Sequence, residues 1–181
     1  MTHFIKKTLS LIIFSVLTAT PAIAANVGDK IPHNLDLSDQ TSTQQSFQSI
    51  SGENGAVILF IRSAEWCPYC QAQLMDVNSR LPEIRGAGYN VVSVSYDSID
   101  SLDAFVKQRG IDYPLLSDKN SEAIKAFNLL NKEIREGSKQ DGIPHPAIIV
   151  TNEQGVITHV FKEDGYKNRP DMDDVVAALK E

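Results

Sequence analysis

The chain has 181 residues, with 17 lysines and arginines against 23 aspartates and glutamates, a formal charge of −6. That length fits one domain, and 42% hydrophobic with 22% charged residues is the make-up of a packed globule rather than a disordered chain. The acidic balance argues against nucleic acid as a partner, and two cysteines alone, Cys67 and Cys70, exclude a disulfide-stapled mini-protein and a four-cysteine zinc module.

The first 24 residues read as a secretory signal peptide. Lys6 and Lys7 form a basic start, Thr8 to Thr20 is largely apolar, and Ala22-Ile23-Ala24 offers small residues before a cut at Ala25. The apolar run is short for a membrane span, which takes ~20 residues. Cleavage removes Lys6 and Lys7 and takes the charge from −6 to −8. The expected domain is 25–181, exported, periplasmic if the source is a Gram-negative bacterium, and not inserted in a membrane once the signal is cut.

Asn26 to Ile50 is polar and predicts a loop with a short strand at Asn34 to Leu37. Ala56 to Ile61 is a continuous apolar run, which suits a strand buried on both faces. From Pro68 a helix follows, with Leu74, Val77 and Leu81 on one face, bent at Pro82 and ended by Gly86-Ala87-Gly88. Asn90 to Tyr96 is the next strand, Ser98 to Gln108 a helix stopped by Gly110. Tyr113 to Leu116 reads as a short strand, Ser121 to Leu129 as a helix, and Asn131 to Asp141 as an exposed loop. Ala147 to Thr151 and Val156 to Phe161 form a hairpin around Asn152 to Gly155, and Pro170 to Leu179 a final helix. Alternating strands and helices with a late hairpin predict an α/β fold with a mixed sheet.

Trp66-Cys67-Pro68-Tyr69-Cys70 sits where the buried strand meets the helix. Cys67 falls at the helix N-cap, where unpaired N–H groups and the helix dipole favour a thiolate. Pro68 suits the first helical position, having no N–H to leave unpaired. Cys70 lies one turn on and can close on the Cys67 sulfur, which makes a dithiol–disulfide couple. Trp66 either covers the pair or belongs to the core. Two other readings of the cysteines stand beside redox chemistry. Half a zinc site lacks a second cysteine pair, and His33, His145 and His159 show no ligand spacing. A structural disulfide would close a very short loop and add little stability.

The runs FIRSAEWCPYCQAQL, LPEIRGAGYNVVSVSYDS, YPLLSD and IPHPAIIVTNEQG resemble peroxiredoxin-like members of the alkyl hydroperoxide reductase and thiol-specific antioxidant (redoxin) family. The resemblance spans about Val27 to Leu179. It implies a thioredoxin-like fold, an attacking Cys67 and a resolving Cys70. It also implies a cis-proline opposite the dithiol, matched by Gly142-Ile143-Pro144 with Pro146 as neighbour; the plain alternative is two prolines that end a loop. Peroxiredoxins carry Pro-x-x-x-Thr-x-x-Cys around the attacking cysteine, and here Phe60 and Ala64 hold the proline and threonine positions. The family's arginine near the later strand is also missing from Pro144 to Pro146. Arg62 could supply a guanidinium to Cys67 or simply point into water. Cys-Pro-Tyr-Cys is the string of glutaredoxins.

The reading that follows is an exported thiol–disulfide oxidoreductase. Its cofactor is none beyond the Cys67–Cys70 disulfide itself, and Trp66, Pro68, Tyr69, Pro144 and Arg62 support the pair. The alternative is a thiol peroxidase acting on hydroperoxides, and a third is a copper chaperone with His145 as the placed histidine. The first two need an exported or membrane-linked thiol reductant, since no third cysteine relays electrons.

Overall fold

The computed structural model describes residues 25–165 and 167–180. The expected signal peptide lies outside them. In chain order the elements are β1 (Leu37–Asp39), β2 (Gln44–Gln45), α1 (Phe47–Ile50), β3 (Gly55–Phe60), α2 (Pro68–Ser79), α3 (Leu81–Gly86), β4 (Tyr89–Ser95), α4 (Ile99–Arg109), β5 (Leu115–Ser117), α5 (Glu122–Ala126), β6 (Ala147–Thr151), β7 (Ile157–Phe161) and α6 (Met172–Ala178). The strands form one mixed sheet in the order β2-β1-β5-β4-β3-β6-β7. β3, β4 and β5 run parallel; β6 pairs antiparallel with β3, and β7 with β6.

β3 lies inside the sheet with every residue buried. Its side chains alternate between two cores, as a strand's must. Val57 and Leu59 face α2, α3, α4 and α6 in one cluster; Ala56, Ile58 and Phe60 face α1 and α5 in the other. Helices on both faces make this the α/β thioredoxin-like architecture.

Several boundaries move for local reasons. The early strand starts at Leu37, not Asn34, because Leu35 sits at φ +55° with its N–H on the His33 ring, a conformation no strand adopts. β2 and α1 arise in the stretch read as loop; Ser46 and Ser49 form a reciprocal capping box that starts α1. The expected strand from Tyr113 begins at Leu115, after Pro114 and after Tyr113 has turned its hydroxyl to donate to the Leu74 carbonyl. The helix expected to reach Leu129 stops at Ala126, since Asn128 turns left-handed at φ +55°. Pro82 splits the long helix into α2 and α3 around Arg80. Gly110 closes α4 at φ +65°, as its position implied.

Candidate active site

β3 ends at Phe60 and delivers the chain through Ile61–Trp66 to α2. The antiparallel register sets Ala147 beside Phe60, so the segment just before β6 reaches the same end of the sheet. Cys67 is the N-cap of α2, Pro68 occupies the first turn, and the Cys70 N–H donates to the Cys67 sulfur at 3.3 Å. Cys67 and Cys70 are joined as a disulfide with 5.2 Å between their Cα atoms. In this form the pair is covered: Cys67 is 1% exposed and Cys70 0%. Pro68 and Tyr69 stand out from the surface beside it, Tyr69 at 42%.

The loop before Cys67 is held from beneath by a buried carboxylate. Asp97, at the end of β4, accepts from Ser63 Oγ at 2.7 Å, from the Ala64 N–H at 2.7 Å and from Ser95 Oγ at 2.9 Å. Ser63 Oγ in turn accepts the N–H groups of Glu65 and Trp66. Gln71 of α2 donates to the carbonyls of Ala64 and Glu65. Burial pushes the Asp97 carboxyl above the ordinary carboxylate range, against the hydrogen bonds from Ser63, Ala64 and Ser95 that pull it down.

Trp66 is half-buried and packs against the core, while its indole N–H donates to Tyr96 Oη at 2.9 Å. Tyr96 Oη donates onward to the Lys139 carbonyl at 3.0 Å. Arg62 lies over the Trp66 ring, 4.9 Å from its centroid, which is cation–π geometry. Of the two readings of Trp66, the contacts describe the second: it packs on the core, with its polar edge bonded to Tyr96. Trp66, Tyr96 and Lys139 also line a cleft of about 550 Å³, and Ala64, Gln71 and Ser101 another of about 380 Å³ on the other side of the loop.

One residue at the dithiol escaped the sequence reading. Arg169, in the loop before α6, donates through Nη2 to Cys70 Sγ at 3.2 Å and to Cys67 Sγ at 3.8 Å. Burial first, and the Arg62 charge second, lower its pKa from the ordinary arginine value; an arginine stays a cation at neutral pH regardless. Its only sequence signal was a basic residue before Pro170 and the helix start.

The expected cis-proline is not there: among the described residues every peptide bond is trans. Pro144 is buried and bridges Leu130, and the His145 N–H donates to the Leu129 carbonyl at 2.7 Å, so pairing with the 129–130 segment sets this stretch. The His145 ring is kept below the usual histidine pKa by burial and then by Lys162. Among the described residues no three His, Cys, Asp or Glu side chains gather as a metal site would require.

A parallel-centred sheet, a buried strand feeding a dithiol at a helix N-terminus, and a cation on both sulfurs define a thioredoxin-like thiol oxidoreductase. Residues 27–160 match the AhpC/TSA family, and the chain belongs to it. It is 28% identical over 147 residues to the peroxiredoxin Bcp of Xanthomonas campestris pv. campestris, an alignment covering 81% of this chain and 89% of that one. Among solved structures it superposes on the peroxidoxin BcpB of Mycobacterium tuberculosis with a TM-score of 0.73 at 22% identity, over 85% of this chain and 96% of that one. It also superposes on the bacterioferritin comigratory protein of Xanthomonas campestris, in a structure bearing on alkyl peroxide reduction, with a TM-score of 0.70 at 26% identity, over 84% and 95% of the two chains. Arg169 lies beyond the family match.

Proposed function

We propose that the protein is a thiol peroxidase that reduces hydroperoxides, rather than chiefly the disulfide-exchange enzyme its Cys-Pro-Tyr-Cys string suggests. The observation that carries this reading is the position of Cys67: a helix N-cap cysteine with a pairing cysteine one turn on, within the segment that matches the AhpC/TSA family. The peroxiredoxins it resembles, one of them studied for alkyl peroxide reduction, support hydroperoxides as the substrate class.

The Cys67 thiolate attacks the outer peroxide oxygen, the O–O bond breaks, and the alcohol leaves with a proton. Cys67 is then a sulfenic acid. Cys70 condenses with it, water leaves, and the disulfide of this structure results. A thiol donor returns two electrons and completes the cycle. The helix N-terminus keeps Cys67 ionised; the Asp97 network fixes the loop that leads into it. We place the enzyme in an exported compartment, on the signal pattern of residues 1–24; the N-terminal residue of protein recovered from that compartment is expected to be Ala25, and a start at Met1 removes the assignment.

Disulfide exchange keeps one specific observation in its favour. Ala64 stands where the family's threonine hydroxyl would meet the peroxide, and its N–H is committed to Asp97. The test is rapid mixing of reduced protein with stoichiometric hydrogen peroxide without oxygen, followed by Trp66 fluorescence, with Cys67→Ser as control. A peroxidase oxidises far faster than a free thiolate of equal pKa. A rate no faster than that reference leaves disulfide exchange as the activity.

A further inference from the structure

We propose that Arg169 is the group that receives the Cys70 thiolate when the disulfide is reopened, so that a donor attacks Cys67 and Cys70 is the sulfur that leaves. This concerns the recycling half of the proposed reaction, a half that a disulfide-exchange enzyme shares.

The two sulfurs are served by different parts of the chain. Cys67 Sγ has the end of α2, with the Cys70 N–H at 3.3 Å. Cys70 is already inside the first helical turn and is fully buried. A thiol in that position resists ionisation unless a charge faces it. The facing charge is the Arg169 guanidinium, 3.2 Å from Cys70 Sγ and farther, 3.8 Å, from Cys67 Sγ. Arg62 adds a second positive charge to the same neighbourhood, close enough to act on Arg169. Glu65 accepts from Ser101, and Asp97 holds Ser63, Ala64 and Ser95.

Arg169 is also held in place. Its Nη1 donates to the Asn168 carbonyl at 2.6 Å, buried Pro170 follows, and Asp171 caps α6 through the Asp173 N–H. Asp173 pairs with Arg80, which ties α6 to the α2–α3 junction. The guanidinium is therefore carried just ahead of a helix that is tied by this ion pair to the end of the helix bearing the dithiol and shares its core. It comes from beyond the 27–160 segment that matches the family.

The thiolate of a dithiol donor attacks Cys67 Sγ, the S–S bond breaks, and its electron pair passes to Cys70 Sγ beside the guanidinium. The donor's second thiolate then displaces Cys67 as thiolate and leaves as its own disulfide, so two electrons have entered. A more acidic leaving thiol leaves faster.

The experiment follows thiolate ultraviolet absorbance against pH in Cys67→Ser and Cys70→Ser, each with and without Arg169→Gln. The expected result is a roughly tenfold loss of Cys70 thiolate near neutral pH without the guanidinium, and a smaller loss for Cys67. In the two-cysteine protein, dithiothreitol should reduce the Arg169→Gln disulfide about tenfold more slowly. An unmoved Cys70 titration, or a larger change at Cys67, overturns the assignment. If Arg169→Gln does not fold, Arg169→Met, which keeps an unbranched stem and removes the charge, makes the same comparison; an unmoved Cys70 titration rejects the idea. No arm contains peroxide, so a failed peroxidase reading and a failed Arg169 reading are told apart.

Discussion

Asp97 accepts a hydrogen bond from Ser63 at 2.7 Å across a separation of 34 residues, and through it the end of β4 sets the shape of the loop that enters the dithiol helix. Both side chains are buried. Together with the Ala64 N–H and Ser95 they form a polar knot under an apolar site.

Truncating that knot should cost more than removing one contact. Asp97→Ala leaves Ser63 Oγ, the Ala64 N–H and Ser95 Oγ without their shared acceptor, at about 1–3 kcal/mol for each buried group left unmet. We expect a loss of about 3 kcal/mol or more in urea unfolding, together with slower oxidation by peroxide. A variant as stable and as fast as the parent would show that the network merely fills space.

The same carboxylate gives a pH dependence with a definite sign. Its pKa is raised in the folded chain, chiefly by burial. The folded state therefore holds its proton above 3.8, where the unfolded chain has released it. Stability from this group is greatest below that value and declines as pH rises from there to the raised folded value. Asp97→Asn abolishes that decline. Stability of the two proteins compared across the acidic range should converge or diverge only in that window; parallel curves throughout refute the shift.

Tyr96 links the site to the exposed 131–141 loop. It takes the Trp66 indole N–H and donates to Lys139, so Tyr96→Phe breaks both bonds at once. The contacts are partly solvated, so the expected loss is modest, about 1 kcal/mol. The more telling readouts are a shifted Trp66 emission and faster proteolysis within 131–141. Unchanged cleavage with unchanged emission means that the loop is held by other contacts.

What the sequence disclosed, and what it hid, divides along the range of the forces involved. The buried strand, the helix N-cap cysteine and the hairpin were legible because each rests on neighbours in sequence: an apolar run, Pro68 after Cys67, Gly155 in its turn. Chain ends of elements shifted where one residue went left-handed: at Leu35, a residue type that seldom does so, and at Asn128, a type that does so readily but sat inside an apolar pattern read as helix. Arg169 was invisible because 99 residues separate it from Cys70, and only the fold, with α2 and α6 sharing one core, brings them together. Asp97 was equally mute: a lone aspartate after a strand reads as a solvated turn until Ser63 and Ser95 are seen around it. The expected proline geometry failed because it was carried over from the wider thioredoxin fold, whereas Pro144 here pairs with Leu130.

Ala64 offers the sharpest test of how this site departs from its family. Its methyl group is buried at the edge of the cleft of about 380 Å³ that Gln71 and Ser101 also line. Restoring the hydroxyl with Ala64→Thr adds bulk to a packed position, so a loss of about 1–3 kcal/mol in stability is expected. If a peroxide binds beside Cys67, the new hydroxyl should also hold it in line for attack and raise the second-order rate of oxidation by about tenfold or more. The rate of insulin disulfide reduction should not rise with it, because that reaction has no peroxide to orient. A gain in both rates would mean that the substitution opens access to Cys67 generally. A gain in neither would mean that a hydroxyl at position 64 orients no peroxide in this site.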